Sequence, residues 1–230
     1  MSAIDLAIFD LDGTLVDSAP DIARAVAATL REAGVDPPPL DEVKAMVGDG
    51  ARVLIGRALA AAGAQRDEER LLGRFLVHYG DALCVDTRLY EGVAETLAAL
   101  RAQGVRMAVL TNKPGDLARR LLDTLGIGGF FQVVIGDGDG FPRKPDPAAA
   151  RDLLARTGAS VANTVIVGDG LPDVQMAIAL GARVVAAGWG YVAPERLRAA
   201  GASVVAEAPG RLTSLLSLPS PRVRMGPSAT

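Results

Sequence analysis

The sequence predicts an α/β fold: a doubly wound, Rossmann-like parallel sheet core with an all-helical module inserted after the first strand. Three observations predict it. Short apolar runs, mostly rich in β-branched residues and bounded by Gly, Asp or Asn, recur along the chain. Helical patterns lie between them, as a parallel sheet covered on both faces requires. One long section, from Ala19 to about Asp86, has helical spacing and no convincing strand.

The first strand is read at Ala3 to Phe9, broken only by Asp5. Within the insert, Ile22, Val26 and Leu30 recur every fourth residue and mark an amphipathic helix that stops at Gly34. Pro37-Pro38-Pro39 is a loop, and Val43 to Val47, Val53 to Ala62 and Leu71 to Leu83 read as further helices. Alternation then begins. A helix at Val93 to Arg101 stops at Gly104 and leads to a strand at Val105 to Leu110. A helix at Leu117 to Leu125 stops at Gly126, before a strand at Val133 to Ile135. Asp146 is the expected N-cap of the next helix, with Pro147 at its first position. Strands at Thr164 to Val167, Val184 to Ala187 and Ser203 to Ala206 follow, with a helix opening at Pro172 or Asp173 and ending near Gly181. The expected division is therefore a core of residues 1–17 and 88–218, a helical module of 18–87, and a Pro/Ser/Arg-rich tail of 219–230 expected to be poorly ordered.

Composition narrows the function. Half of the 230 residues are hydrophobic, enough for a sizeable core. A net charge of −3 lacks the basic excess of a nucleic-acid-binding surface. No apolar run reaches the ~18 residues of a membrane span, and the N-terminus has no basic leader pattern, so a cytoplasmic protein is expected. The single cysteine, Cys84, forms no intramolecular disulfide and reads as a buried structural thiol.

The chemistry lies at strand ends. Asp10 and Asp12 follow the first strand, Thr111 closes the second, Lys144 sits in the loop after the third, and Asp169 closes the fourth, with Asp173 four residues on. In an open parallel sheet these carboxyl ends share one edge, where ligands bind. Several carboxylates gathered there repel one another. A hard divalent cation resolves the conflict, and an all-oxygen ligand set suits magnesium. The cation and Lys144 would then offset a bound phosphate. One carboxylate would be free to attack phosphorus, and a second to protonate the leaving oxygen and later activate water. Thr111 would donate to a phosphoryl oxygen.

Four segments carry a family resemblance. Asp10-Leu11-Asp12-Gly13-Thr14, Leu110-Thr111-Asn112-Lys113-Pro114, Arg143-Lys144-Pro145-Asp146-Pro147 and Gly168-Asp169-Gly170-Leu171-Pro172-Asp173 resemble, in order and spacing, the four motifs of the haloacid dehalogenase superfamily. The resemblance implies Asp10 as nucleophile and Asp12 as general acid/base. It implies Thr111, Asn112 and Lys144 as phosphate contacts. Magnesium would be held by Asp10, the backbone carbonyl of Asp12, and Asp169, with Asp173 at or just behind the metal. The helical module matches the family's small cap. Its loop, with Gly48 and Gly50, and the following Arg52 are candidates for substrate contact, Arg52 equally for a plain surface residue. Within the superfamily the sequence is most similar to the bacterial phosphoglycolate phosphatase group, through Asp17-Ser18-Ala19-Pro20-Asp21, Val47-Gly48-Asp49-Gly50-Ala51 and Gly188-Trp189-Gly190-Tyr191. The expected partner is a small phosphorylated metabolite, and the expected state a monomer or homodimer. Alternatives are a phosphatase for another metabolite, a phosphosugar mutase, and a non-catalytic binding protein.

Some residues depart from the pattern or invite other readings. Gly170 replaces the usual Ser or Asn of the fourth motif, at the cost of one side-chain hydrogen bond. Asp12 argues against a dehalogenase. Lys44, the candidate Schiff-base lysine of a phosphonate-cleaving relative, sits in an ordinary helical setting. His78, the only histidine, reads as structural or surface. Trp189 and Tyr191 pack beside the site or serve a partner surface, with packing the favoured reading.

Overall fold

The computed structural model describes residues 4–217; the tail at 219–230 lies outside the described residues. Six strands form one parallel sheet: β1 (Leu6–Phe9), β4 (Arg106–Pro114), β5 (Val133–Asp137), β6 (Thr164–Gly168), β7 (Arg183–Ala187) and β8 (Val205–Ala206). Their order is β5-β4-β1-β6-β7-β8. The chain leaves β1 to one side and returns on the other, so β1 ends at a topological switch point. The register sets Phe9 beside Val109 of β4 and Val167 of β6, which aligns three carboxyl ends.

Strand side chains alternate between two cores because the side-chain period is two. Ala7, Phe9, Val109 and Val167 face α5 (Val93–Ala102), α6 (Gly115–Thr124) and α10 (Arg211–Ser217) through Leu97, Leu121 and Leu212. Leu6, Ile8, Leu110 and Ile166 face α7 (Ala148–Thr157), α8 (Leu171–Leu180) and α9 (Pro194–Ala199) through Leu153, Val174 and Leu197. Burial on both faces explains why these strands read as continuous apolar runs. Two expected helix stops have a backbone cause: Gly126 and Gly181 lie at φ +72° and +75°, a region L side chains rarely adopt.

Four helices pack together between the first strand and the rest: α1 (Ala19–Glu32), α2 (Leu40–Met46), α3 (Ala51–Ala61) and α4 (Glu68–Asp81). Val26, Leu30, Leu54 and Phe75 join their apolar faces to the first of the two cores.

The sequence reading needs three adjustments. A two-stranded antiparallel ribbon, β2 (Val16–Asp17) and β3 (Arg88–Leu89), stitches the helical module's entry to its exit. It is too short to leave a propensity signal. The helix expected from Asp146 starts at Ala148 behind an N-cap Pro147; Asp146 instead accepts from the Ala148 N–H at 2.8 Å. Cys84 is half-buried rather than buried, and burial pushes its thiol up.

Candidate active site

Asp10 follows β1 directly, and its N–H continues the ladder to Val167 O at 2.8 Å. Its Oδ1 accepts from Leu11 N at 2.7 Å and pairs with Lys144 Nζ at 2.8 Å. Among the described residues, Oδ2 receives no protein donor. Asp169 extends from β6. Its Oδ1 accepts from Thr14 Oγ1 and its Oδ2 from Tyr191 N, both at 2.8 Å. Asp173, in the first turn of α8, takes Lys144 Nζ on Oδ1 at 2.7 Å and Gly170 N on Oδ2 at 3.0 Å. Gly170 thus keeps a backbone role where the fourth motif usually adds a side chain.

Asp10, Asp169 and Asp173 are all buried, with carboxylate oxygens within 4.8 Å of one another. One ammonium, Lys144, cannot neutralise three carboxylates. Burial pushes Asp10 up to about 7, with Lys144 opposing the rise and Asp173 adding to it. Burial, then Asp10, pushes Asp169 up to about 8. Burial also disfavours the Lys144 ammonium, but Asp10 and Asp173 outweigh it and hold the pKa above the usual lysine range. This uncompensated negative charge, on oxygen donors alone, fits a hard divalent cation such as magnesium.

Asp12 stands apart from that trio. Its Oδ1 accepts from Ser18 Oγ at 2.6 Å and from Lys113 Nζ at 2.9 Å, with Oδ2 3.1 Å from the same ammonium. Lys113 Nζ also donates to Tyr79 Oη at 2.5 Å. Burial, reinforced by Asp12, holds the Tyr79 hydroxyl well above its usual pKa, so it stays a neutral phenol. Sequence reasoning passed over Lys113 and Tyr79. The available signal was that β4 carries on beyond Thr111, so a lysine two residues later stays buried.

The other expected contacts divide. Thr111 is buried and lines the cavity over Asp10. Asn112 has its amide fully engaged: Nδ2 donates to Gly48 O at 3.0 Å and Lys144 O at 3.2 Å, and Oδ1 accepts from Lys144 N at 2.9 Å. With the side-chain amide so engaged, a phosphate contact by Asn112 would come from its backbone. Gly48 and Gly50 line the cavity, but Arg52 does not; it pairs with Glu69 on the exposed surface. His78 contacts Glu32 at 2.9 Å, away from the site. Lys44 Nζ lies 5.1 Å from the centre of the Tyr191 ring.

Trp189 and Tyr191 do pack beside the site. Trp189 Nε1 donates to Thr14 O at 3.0 Å. Tyr191 Oη accepts from Ser18 N at 2.9 Å and Ala19 N at 3.0 Å, and donates to Asp17 Oδ1 at 3.0 Å. It thereby satisfies two amides at the start of α1, while the N-cap Ser18 hydroxyl is turned to Asp12. Between them, Gly190 presses on Asp169, where a Cβ would collide with the carboxylate side chain. Gly190→Ala is therefore expected to cost about 1–3 kcal/mol of stability by overpacking. A thermal melt of the variant beside the parent checks this.

A cavity of about 50 Å³ opens over Asp10 and Asp12. Ile22, Val47, Gly48, Gly50, Leu54, Phe75 and Tyr79 wall it from the helical side, and Thr111 to Pro114 from the sheet. Among the described residues, no helix is long and apolar enough to cross a membrane.

The chain is similar to known proteins in sequence and in fold. The chain is 44% identical over 192 residues to a phosphoglycolate phosphatase of Pseudomonas putida, covering 81% of this chain and 70% of that one. It is 41% identical over 223 residues to a phosphoglycolate phosphatase of Rhodospirillum rubrum, covering 93% and 91%. The crystal structure of a predicted phosphoglycolate phosphatase from Haemophilus somnus 129pt superposes with a TM-score of 0.87 at 31% identity, covering 94% of this chain and 99% of that one. The family model for haloacid dehalogenase-like hydrolases matches residues 4–181, a span that includes every carboxylate of the site. The chain belongs to the haloacid dehalogenase-like hydrolase family.

Proposed function

We propose that this protein is a magnesium-dependent phosphomonoester hydrolase acting through an aspartyl-phosphate on Asp10, with 2-phosphoglycolate as its preferred substrate. The observation that carries the reading is the buried trio Asp10, Asp169 and Asp173 around Lys144, with Asp12 close by on the same cavity. The names of the relatives support the choice of substrate.

Asp10 and Asp169, with the Asp12 carbonyl, would hold the cation, and Asp173 would steady Lys144 from behind. The bound cation supplies the positive charge that lets carboxylate and phosphate meet. Asp10 Oδ2, which has no protein donor, attacks phosphorus, and the P–O bond to the leaving alkoxide breaks. Asp12 gives that oxygen a proton. It then takes one from water, which attacks the phosphoryl group and releases phosphate and free Asp10. Thr111 and Lys144 hold the phosphoryl oxygens. The α1–α4 module acts as the cap that excludes bulk water. The cavity is small, at about 50 Å³, and is walled by the helical module, which favours a small leaving group.

The test is phosphate release over a panel of small phosphorylated metabolites. Phosphoglycolate is expected to give the highest kcat/KM, and chelation is expected to lower it at least about 100-fold, with recovery on adding magnesium. Turnover of other phosphomonoesters but not phosphoglycolate overturns the substrate. Turnover that survives complete metal removal overturns the mechanism, and an isomer in place of free phosphate makes the protein a mutase.

A further inference from the structure

We propose that Lys113 is the residue that selects a carboxylate-bearing leaving group, a role that rests on the phosphomonoesterase reading above. Among the described residues, Lys113 is the only cationic side chain lining the cavity; Lys144 lies behind Asp10, between it and Asp173, where it serves the phosphoryl group rather than the leaving group. Its side chain is 2% exposed, so its charge acts in a dry setting rather than through solvent. An ammonium has three donors. They meet Tyr79 Oη at 2.5 Å and both oxygens of Asp12, at 2.9 and 3.1 Å, and a ligand carboxylate would take over the longer of the two Asp12 contacts.

The rest of the cavity sharpens the need for that donor. Its far wall is apolar, built from Ile22, Val47, Leu54 and Phe75. An anionic group placed there without a cation pays a large desolvation cost and faces Asp10 and Asp12 as well. The start of α3 adds a second feature of the same sign. Gly50, its N-cap, has no side chain to satisfy the first-turn amides, and Gly50 and Ala51 both line the cavity. Asn112 and Arg143 fix this loop by its carbonyls, at Gly48 O and Asp49 O. The start of α3 is therefore held in place on the cavity that Lys113 also lines. A carboxylate one or two carbons from the phosphate would be bound by Lys113 and the α3 amides together, while a neutral group of the same size would leave the ammonium unmatched.

The experiment compares kcat/KM for 2-phosphoglycolate with that for 2-hydroxyethyl phosphate, in which a neutral alcohol replaces the carboxylate. Wild-type, Lys113→Met and Lys113→Arg proteins are measured in magnesium. Wild-type protein is expected to prefer the acid. Lys113→Met is expected to lose that preference at least tenfold, on the scale of a truncated buried ion pair. Lys113→Arg keeps the charge and is expected to retain most of the preference. If Lys113→Met slows both esters equally, Lys113 only steadies Asp12 and the proposal falls. If Lys113→Met fails to fold, the wild-type ratio and the arginine variant decide: no wild-type preference, or its loss in Lys113→Arg, overturns the selection. Wild-type protein that cleaves neither ester overturns the hydrolase reading; equal cleavage of both overturns only the role of Lys113.

Discussion

Replacing Asp10 with asparagine is expected to lower phosphate release by at least about 10⁴-fold, the scale seen when a covalent nucleophile is removed. An amide of the same size keeps the packing after β1 but cannot attack phosphorus. Lys144 retains its second carboxylate, Asp173 at 2.7 Å, so the ammonium is not left unpaired. The substitution also removes one of three crowded carboxylates. A thermal melt alongside the assay separates lost chemistry from lost fold: the variant is expected to melt no lower than the parent in the absence of metal. Turnover within tenfold of wild type would mean that another group attacks phosphorus.

Asp21→Asn is expected to be the most damaging substitution away from the chemistry. Asp21 sits in the first turn of α1 and is 1% exposed. Its Oδ2 accepts from Val85 N at 2.9 Å, Thr87 N at 2.9 Å and Thr87 Oγ1 at 2.7 Å, and its Oδ1 from Asp86 N at 2.9 Å and from Arg24. One carboxylate thus ties the entry of the helical module to its exit. Whichever oxygen becomes an NH₂ group, a donor then faces backbone donors. The cost is about 3 kcal/mol, or a melting-temperature fall of roughly 6–12 °C for a chain of this size.

The pH dependence has a definite sign. Burial pushes Asp21 up, but the Thr87 hydroxyl, the Asp86 and Thr87 amides and Arg24 outweigh it and hold the carboxyl below its usual range. Its stabilising contribution is therefore complete above the unfolded value of about 3.9 and is lost as pH falls through the lower folded value. The melting-temperature gap between parent and variant is expected to stay constant from neutral pH to about 5 and to shrink below about 4. A gap that is the same at pH 3 and pH 7 would show that Asp21 acts through packing alone.

The core was legible because buried parallel strands announce themselves as apolar runs, and the candidate site because an open parallel sheet binds ligands at its carboxyl ends. The strand map places Asp10, Thr111 and Asp169 at one sheet edge, but their roles, and that of Lys144, come from the order of the four motifs that resemble the haloacid dehalogenase superfamily. The unread part depends on contacts between distant segments. Tyr79 meets Lys113 across 34 residues, and Tyr191 meets Ser18 across 173. No local pattern encodes either pairing. Arg52 shows the converse: a plausible charge near a glycine loop was drawn off by Glu69, a residue on the neighbouring helix. The Asn112 amide is taken up by the backbone of Gly48 and Lys144, which the sequence does not locate.

Tyr191 leaves one further consequence. Its amide rests on Asp169, while its hydroxyl, at the far end of a rigid ring, fixes the root of α1. The side chain is a spacer with two torsions and no stretch. It sets the gap between the carboxylate floor and the first helix of the module as a mechanical gauge sets a clearance. A shorter or more pliant residue would keep every group of the site and lose the tolerance to which they are assembled.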